Sequence, residues 1–519
     1  MRTLKQSTLL IMIFSIITRL MSFFFKIYLS RRVGAEILGL FQMAFSIFGL
    51  FSMIAGSGIP LMLSRKTAEL TAVKQEKKLN GVMTGAMLLS LGVSLFLIAG
   101  AFLLRHKLTF VFSDGRCVKL FYIILPALLS SAMYQLLRGY FMGKGRYFDY
   151  SLTELLEEVI KIIACLTFLS NAFIALSDSV AISIAFTITD YSVMIILLLL
   201  YFIKGGKIAT PVECKPLIRS SLPVTGMRIA AGLITSFIAV FLPAMLVKNG
   251  MAPGAAAAEY GRAVGMAFSL LFAPLSLTGA LCVVILPEAA ALAATGKWKE
   301  LRTRVNESIL FIFIITVLFY ALFLVLGETY GELLFKDVRA GRFVAFSSGM
   351  VIPAALSGLI NTTLNSLGEE RKVFFSFLIS SLLLILSVLF LPKYIGIYAL
   401  AVGECAFHVA EFMFGMYFLW KKGGYTGAIF RPAAITMSFS FPTALAAKCA
   451  HLFSQSIGCG IIVQAAFATI TGIAAYLSCI FLFKPIPGLK AIVLSRRKIR
   501  KTKKKDLPKT SPILSDKSS

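Results

Sequence analysis

Four residues near the start of the chain carry the most chemistry. Ser15, Arg19, Ser22 and Lys26 recur at i, i+4, i+7 and i+11, a spacing that lays them along one face of a helix. An Arg held at the middle of a bilayer costs about 2.5–3.5 kcal/mol even on lenient scales, so this face is expected to line a watery cavity or to meet a buried anion. The structural alternative is that Arg19 pairs with an acid on a neighbouring helix while Lys26 snorkels outward.

Other charged residues fall at helical spacing too. Glu154, Glu157, Glu158 and Lys161 share a face at i, i+3, i+4 and i+7, so Lys161 can neutralise one acid and leave others to meet Arg19 or Arg138. Structural pairing between helices and a gating role both fit them. Asp190 is a lone acid near the middle of an apolar run, suited either to a helix-packing hydrogen bond or to an ion relay. Glu404, His408 and Glu411 lie at i, i+4 and i+7, a pattern that can bind a cation or pass protons, or simply hydrogen-bond between helices. Arg228 and Arg262 add two further candidate cavity cations; a position near an external helix end would instead let Arg262 snorkel. No metal centre is expected, because the eight cysteines form no CxxC pair and no Cys/His spacing suited to zinc.

The elements that position these residues must be membrane helices. The 519 residues are 58% hydrophobic and 15% charged, with a mean hydropathy of +0.86. That is too apolar for a soluble domain, and a bilayer has to be the solvent. A span takes about 20 apolar residues. Such runs are read at 7–30, 36–58, 80–104, 119–141, 152–173, 178–203, 220–247, 258–286, 306–327, 343–366, 373–392, 396–420, 432–452 and 459–483, about fourteen in all. Alternate links are rich in Lys and Arg, beginning with Arg65 and Lys66, and this bias places both termini in the cytoplasm. The net charge of +28 is thereby explained without a nucleic-acid partner. Arg2 and Lys5 precede the first apolar run, but Arg19 and Lys26 interrupt it and no cleavage site follows, so the first span is expected to be retained. Residues 485–519 read as a basic, disordered tail able to lie against anionic lipids.

The two halves echo each other. Met43-Ala44-Phe45-Ser46 recurs as Met266-Ala267-Phe268-Ser269, with Gly56 opposite Gly279 at the same offset. Gly143-Lys144-Gly145-Arg146 is answered by Gly368-Glu369-Glu370-Arg371. The expectation is an all-α chain of two six-helix lobes, 1–205 and 206–425, with an added helix pair at 426–484. No phosphate-binding loop and no link long enough for an ATPase domain is present. No cofactor is expected, and active transport would draw on Na+, H+ or the membrane potential.

Several segments resemble a known family. Arg19, Lys26, Arg31, Gly34, Gly39-Leu40-Phe41-Gln42, Gly56-Ser57-Gly58-Ile59-Pro60 and Ser64-Arg65 resemble the start of the stage V sporulation protein B group. That group stands with polysaccharide flippases, murein lipid II flippases and multidrug and toxin extruders in one exporter superfamily. Arg138-Gly139-Tyr140-Phe141-Met142-Gly143 is similar to the family's RGYFQG, with Met142 in place of Gln. Tyr260-Gly261, Gly265-Met266-Ala267, Pro274, Thr278-Gly279-Ala280-Leu281 and Leu286-Pro287 resemble its eighth helix. Thr153 to Lys161 resembles a pattern SQxxExxxR, with Glu157 at the acid and Lys161 replacing Arg.

The resemblance covers about the first 420 residues. It implies two bundles in a V around a central cavity, in which Arg19 and Lys26 match first-helix cations of the lipid II flippases. Arg262 falls several residues away from the eighth-helix arginine of those flippases. The family's cation site involves its seventh, eleventh and twelfth helices; the eleventh predicted span here has no acid, which leaves Glu404 on the twelfth.

The function so implied is the flipping of an undecaprenyl-pyrophosphate-linked saccharide, a peptidoglycan precursor such as lipid II, with no bond made or broken and hence no enzyme. A cation-coupled multidrug extruder would want an acidic, aromatic cavity, against which the cationic stripe counts. A membrane glycan polymerase or ligase would need a large external loop, and the external links are short. A scaffold for wall or spore-cortex synthesis would leave the mid-bilayer cations with no use beyond pairing.

Overall fold

The computed structural model describes residues 4–56, 58–108, 112–170, 176–212, 214–423 and 430–483, and every regular element among them is helical. The tail expected at 485–519 lies outside the described residues. The first half holds α1 (Leu4–Gly56), α2 (Ile59–Ala72), α3 (Glu76–Leu103), α4 (Gly115–Ile124), α5 (Ala127–Gly143), α6 (Tyr147–Leu169) and α7 (Asp178–Ile203). The second holds α8 (Cys214–Lys248), α9 (Pro253–Tyr260), α10 (Ala273–Ala294), α11 (Trp298–Phe335), α12 (Val338–Ser347), α13 (Val351–Ser366), α14 (Glu370–Phe390) and α15 (Tyr398–Gly423). After them come α16 (Phe430–Ser438), α17 (Ser440–Ser456) and α18 (Ile461–Phe483).

Helices satisfy every backbone polar group within the segment, which is what a hydrocarbon solvent demands. Among the described residues nine runs are long and apolar enough to cross a membrane, or ten if α4 and α5 form one span. The chain is an all-α, multi-pass membrane protein. The runs read at 7–30 and 36–58 are two arms of α1, separated at Gly34, whose φ of 79° and ψ of 173° are open essentially to glycine. The run read at 119–141 is divided into α4 and α5, bent by 48° where Pro126 withholds an N–H. The link expected after residue 58 is instead partly helical: α2 starts at Ile59 with Pro60 in its first turn and buries Leu63, Thr67 and Leu70. Its mixed charge had masked the periodicity.

The basic links gather at one end of the molecule. Lys144 Nζ bonds Glu76 at 2.9 Å, and Arg146 reaches the carbonyl of Lys204. Lys422 bonds the Leu367 carbonyl at 3.0 Å and pairs with Glu369. At the opposite end one apolar core contains both halves, with Leu40 and Phe121 of the first packed among Ala257, Phe343 and Leu400 of the second. Toward the basic end the core divides. Leu63, Met83, Leu137 and Tyr201 form one group, and Val305, Leu359 and Leu419 form another. The halves meet at one end and part at the other, except that α8 runs along α1 and α2 of the first half and places Leu217 in its core.

Where the halves meet, the second arm of α1 crosses α9 at backbone contact. A Cβ on Gly39 would overlap the carbonyl of Ala257, and one on Gly261 would overlap the carbonyl of Ala35. Small residues four apart on each helix permit this approach. Gly261, the last residue of the crossing, also begins a π-helix that runs to Ala267. The last two helices pack on α11, where Thr329 meets His451 at 2.9 Å, Tyr330 meets Thr469 at 2.8 Å and Tyr476 donates to the Ile314 carbonyl at 2.7 Å.

Candidate substrate-binding face

The first arm of α1 is two-sided. Arg19 and Lys26 are exposed and Ser15 and Ser22 half-buried along one face. Positions 17, 20, 24 and 28 turn about 180° away at 100° per residue. There Ile17, Leu20, Phe24 and Tyr28 line an open apolar groove of about 710 Å³ with Ile162 and Leu166 of α6. The helix thus presents hydrocarbon on one side and two cations on the other.

Lys26 stands within Coulombic range of Lys161 and Glu158 on α6. Lys161 Nζ donates to Glu158 Oε2 at 2.8 Å. Asp190, on α7, lies in range of Glu157 and Lys161. One helical turn toward the basic end, Tyr134 of α5 donates its hydroxyl to Glu157, and Arg138 donates to the Tyr134 oxygen at 2.8 Å and to Glu154 Oε2 at 3.0 Å. The Arg138 guanidinium also lies 4.2 Å from the centroid of the Tyr150 ring. Three cations and four acids are therefore brought together across α1, α5, α6 and α7. Such a cluster is tolerable within a membrane protein because opposite charges lie close together in it.

Beside this network Gln135 Nε2 donates to Ser52 Oγ at 3.2 Å and to Ser131 Oγ at 3.4 Å, and the two serines are 3.2 Å apart. Ser52, Ser131, Tyr134, Gln135 and Tyr150 were not singled out in the sequence. The signal was there in α5, where Ser131, Tyr134, Gln135 and Arg138 fall at i, i+3, i+4 and i+7.

In the second half, His408 lies 3.7 Å from both Glu404 and Glu411, and its Nδ1 is 3.2 Å from Ser357 Oγ on α13. Glu404 also lies in Coulombic range of Tyr260. Arg228 is exposed on α8. Arg65 and Lys66 stand on α2, each 3.7 Å from Glu69.

Arg262 sits elsewhere, at the end where the halves meet. It donates to Glu259 Oε1 and Asp337 Oδ2, both at 2.8 Å, so its charge is matched there by two acids instead of standing open among the cations of α1. The same end holds Arg116, which bonds Asp114 at 2.8 Å and Glu36 at 2.6 Å. Burial pushes the Asp114 carboxyl up, but its hydrogen bonds with Arg116 and that residue's charge outweigh this and hold it below its ordinary value. Arg31 of α1 donates to the Leu333 and Leu334 carbonyls at the C-terminus of α11.

Comparison with known proteins agrees with this architecture. Residues 4–287 match the family described as polysaccharide biosynthesis protein. Stage V sporulation protein B of Bacillus subtilis is 27% identical over 307 residues, which cover 55% of this chain and 58% of that protein's length. Sporulation protein YkvU of Bacillus subtilis is 22% identical over 319 residues, 60% of this chain and 70% of the relative. Among solved structures, the lipid II flippase MurJ in an inward closed conformation superposes with a TM-score of 0.71, covering 92% of this chain and 98% of its own at 13% identity. An inward-facing multidrug resistance MATE family transporter of the MOP superfamily superposes at 0.66, covering 79% and 96% at 14% identity. At these identities the structural likeness is one of fold. The sequence match is stronger evidence of kinship, since it runs through all of the first half and across the Gly39–Gly261 crossing into α10, and on that ground the chain belongs to the polysaccharide biosynthesis protein family.

Proposed function

We propose that this protein moves an undecaprenyl-pyrophosphate-linked saccharide, a peptidoglycan precursor such as lipid II, from the inner to the outer leaflet by alternating access. The observation that carries the reading is the two-sided first arm of α1, with Arg19 and Lys26 opposite an open apolar groove. An amphiphile with a pyrophosphate head and a polyprenyl tail matches both faces. The basic end is cytoplasmic in this reading, as are both termini, so the end at which the two cores part faces the inner leaflet, where alternating access would admit the substrate. Arg65 and Lys66 draw the anionic headgroup toward that opening.

The inside-negative potential favours outward passage of an anion, by about 2.3 kcal/mol per charge per 100 mV. Coupling to Na+ or H+ falls to Glu404, His408 and Glu411, the carboxylate–imidazole set held against Ser357, with Asp190 as a second candidate. Arg262, paired at the opposite end, serves in closing that end while substrate enters.

The test is lectin or protease accessibility of lipid II in sealed vesicles containing wild type, Arg19→Ala or Lys26→Ala at matched expression. Outer-leaflet appearance should fall roughly tenfold or more in each variant, as expected for losing a charge-assisted hydrogen bond worth about 1.5–3 kcal/mol. Export of organic cations with no movement of lipid II would replace this reading with a multidrug extruder.

A further inference from the structure

A pyrophosphate clamp does not distinguish one lipid-linked glycan from another; something else must read the sugar. α5 is ringed by α1, α2, α3, α6 and α7, and through its middle most side chains are buried. The stripe Ser131, Tyr134, Gln135 and Arg138 is only half-buried. That stripe faces α1 and α6, meeting Ser52 on the one and Glu154 and Glu157 on the other, and so lies within the bundle.

Its chemistry suits a polyol. Gln135 uses its amide nitrogen on Ser52 and Ser131, and its Oε1 accepts no hydrogen bond among the described residues. A serine hydroxyl has two lone pairs and an amide carbonyl two more, so the three side chains hold one another in place with acceptor capacity to spare. Fixed acceptors and hydroxyls at close spacing match the adjacent hydroxyls of a sugar ring. Tyr134 and Tyr150 flank the strip, anchored by Glu157 and Arg138.

Depth matches as well. The first arm of α1 and α6 run the same way through the membrane, and α5 runs against them. Contacts between Arg138 and Glu154, and between Tyr134 and Glu157, set the register of α5 on α6. One turn further in, Ser131 comes level with Lys161, which is in turn within range of Lys26. The amide and hydroxyl strip and the cationic stripe therefore lie at the same depth on neighbouring helices.

We infer that Ser52, Ser131 and Gln135 form a saccharide subsite that reads the glycan while Arg19 and Lys26 hold its pyrophosphate, an inference that rests on the proposed function. The test uses the full chain in nanodiscs and two ligands, lipid II and undecaprenyl pyrophosphate without sugar, titrated against wild type, Gln135→Leu, Ser131→Ala and Arg19→Ala. Gln135→Leu should weaken lipid II binding about tenfold, the equivalent of one or two hydrogen bonds, and leave undecaprenyl pyrophosphate within twofold of wild type. Ser131→Ala, a smaller change that tolerates the same packing, should move in the same direction by a few-fold. Arg19→Ala should weaken both ligands. Equal loss for both ligands in Gln135→Leu and Ser131→Ala, or no loss for either, would overturn the subsite while leaving the flippase reading intact. Wild type that binds neither lipid would overturn the flippase reading and the subsite with it.

Discussion

Arg31 and Leu334 are 303 residues apart in sequence, yet Arg31 Nε lies 2.7 Å from the Leu334 carbonyl oxygen. The guanidinium fork also takes the Leu333 carbonyl, so one side chain of the first half caps the exposed C-terminal carbonyls of the longest helix of the second. A cation at a helix C-terminus is favourable both as donor and against the helix dipole.

Arg31→Ala should therefore loosen the end where the halves meet. With the arginine exposed, the loss is about 1 kcal/mol, and the melting temperature should fall by a few degrees at most. A cysteine placed at Leu334 should label several-fold faster with an impermeant maleimide in the Arg31→Ala background. Unchanged labelling would mean that the shared apolar core alone holds this end shut.

At the crossing of α1 and α9 no side chain fits. Gly39→Val and Gly261→Val should each fail to accumulate as folded protein in detergent, since the added atoms meet backbone that cannot rotate away. Gly49→Ala, where an added Cβ meets nothing within 4 Å, should melt within a degree or two of wild type. Fluorescence-detected size exclusion after heating separates the two outcomes.

The pair of Arg138 and Glu154 lends itself to a double-mutant cycle. Removing either partner alone strands a half-buried charge and should cost up to about 3–5 kcal/mol. Arg138→Met combined with Glu154→Leu should recover most of that loss in stability. If the double variant is as unstable as the worse single variant, Arg138 is held mainly by Tyr134 and Tyr150.

Asp114 gives a pH signature. Its folded carboxyl lies below its ordinary value near 3.8, so the stabilisation it contributes is full above that value and fades as pH falls through the lower, folded one. Wild type should keep its melting temperature from pH 7 down to about pH 4 so far as this residue is concerned, then lose it. Asp114→Asn should melt lower at neutral pH and show a smaller further loss on acidification. Circular dichroism melts in detergent across pH 3–7 measure the difference.

How much of this was legible in the sequence depends on the kind of signal. The apolar runs carried the fold class, because a bilayer demands long uninterrupted helices and the hydropathy of α3, α7 and α14 is unambiguous. Periodicity alone put Arg19 and Lys26 on a face with Ser15 and Ser22, and Glu154 with Lys161. It could not pair them across helices, so Lys161 with its neighbour Glu158 was within reach while Tyr134 with Glu157 was not. Arg262 was ambiguous for the same reason: its partner Asp337 lies in a link, and only tertiary contact brings the two together. The break at Pro126 and the helix begun at Pro60 show proline acting in opposite senses, which composition does not separate.

The π-helical turn that begins at the crossing sets the register of the two matching stretches of sequence. Ala257 and Gly261 stand 222 residues after Ala35 and Gly39, and each pair takes the other's place in the crossing. Met266 and Gly279, however, stand 223 residues after Met43 and Gly56. The later stretch thus holds one residue more than the earlier one, lodged within Gly261–Ala267, and the wide turn is where the helix absorbs it. Excising one residue there would wind the segment back to α-helix and rotate everything from Phe268 onward by about 100° about its axis. The match between the two stretches is thereby offset at a single point: up to the crossing the corresponding residues meet each other, and past it the same residues of the later stretch stand about 100° further round their helix.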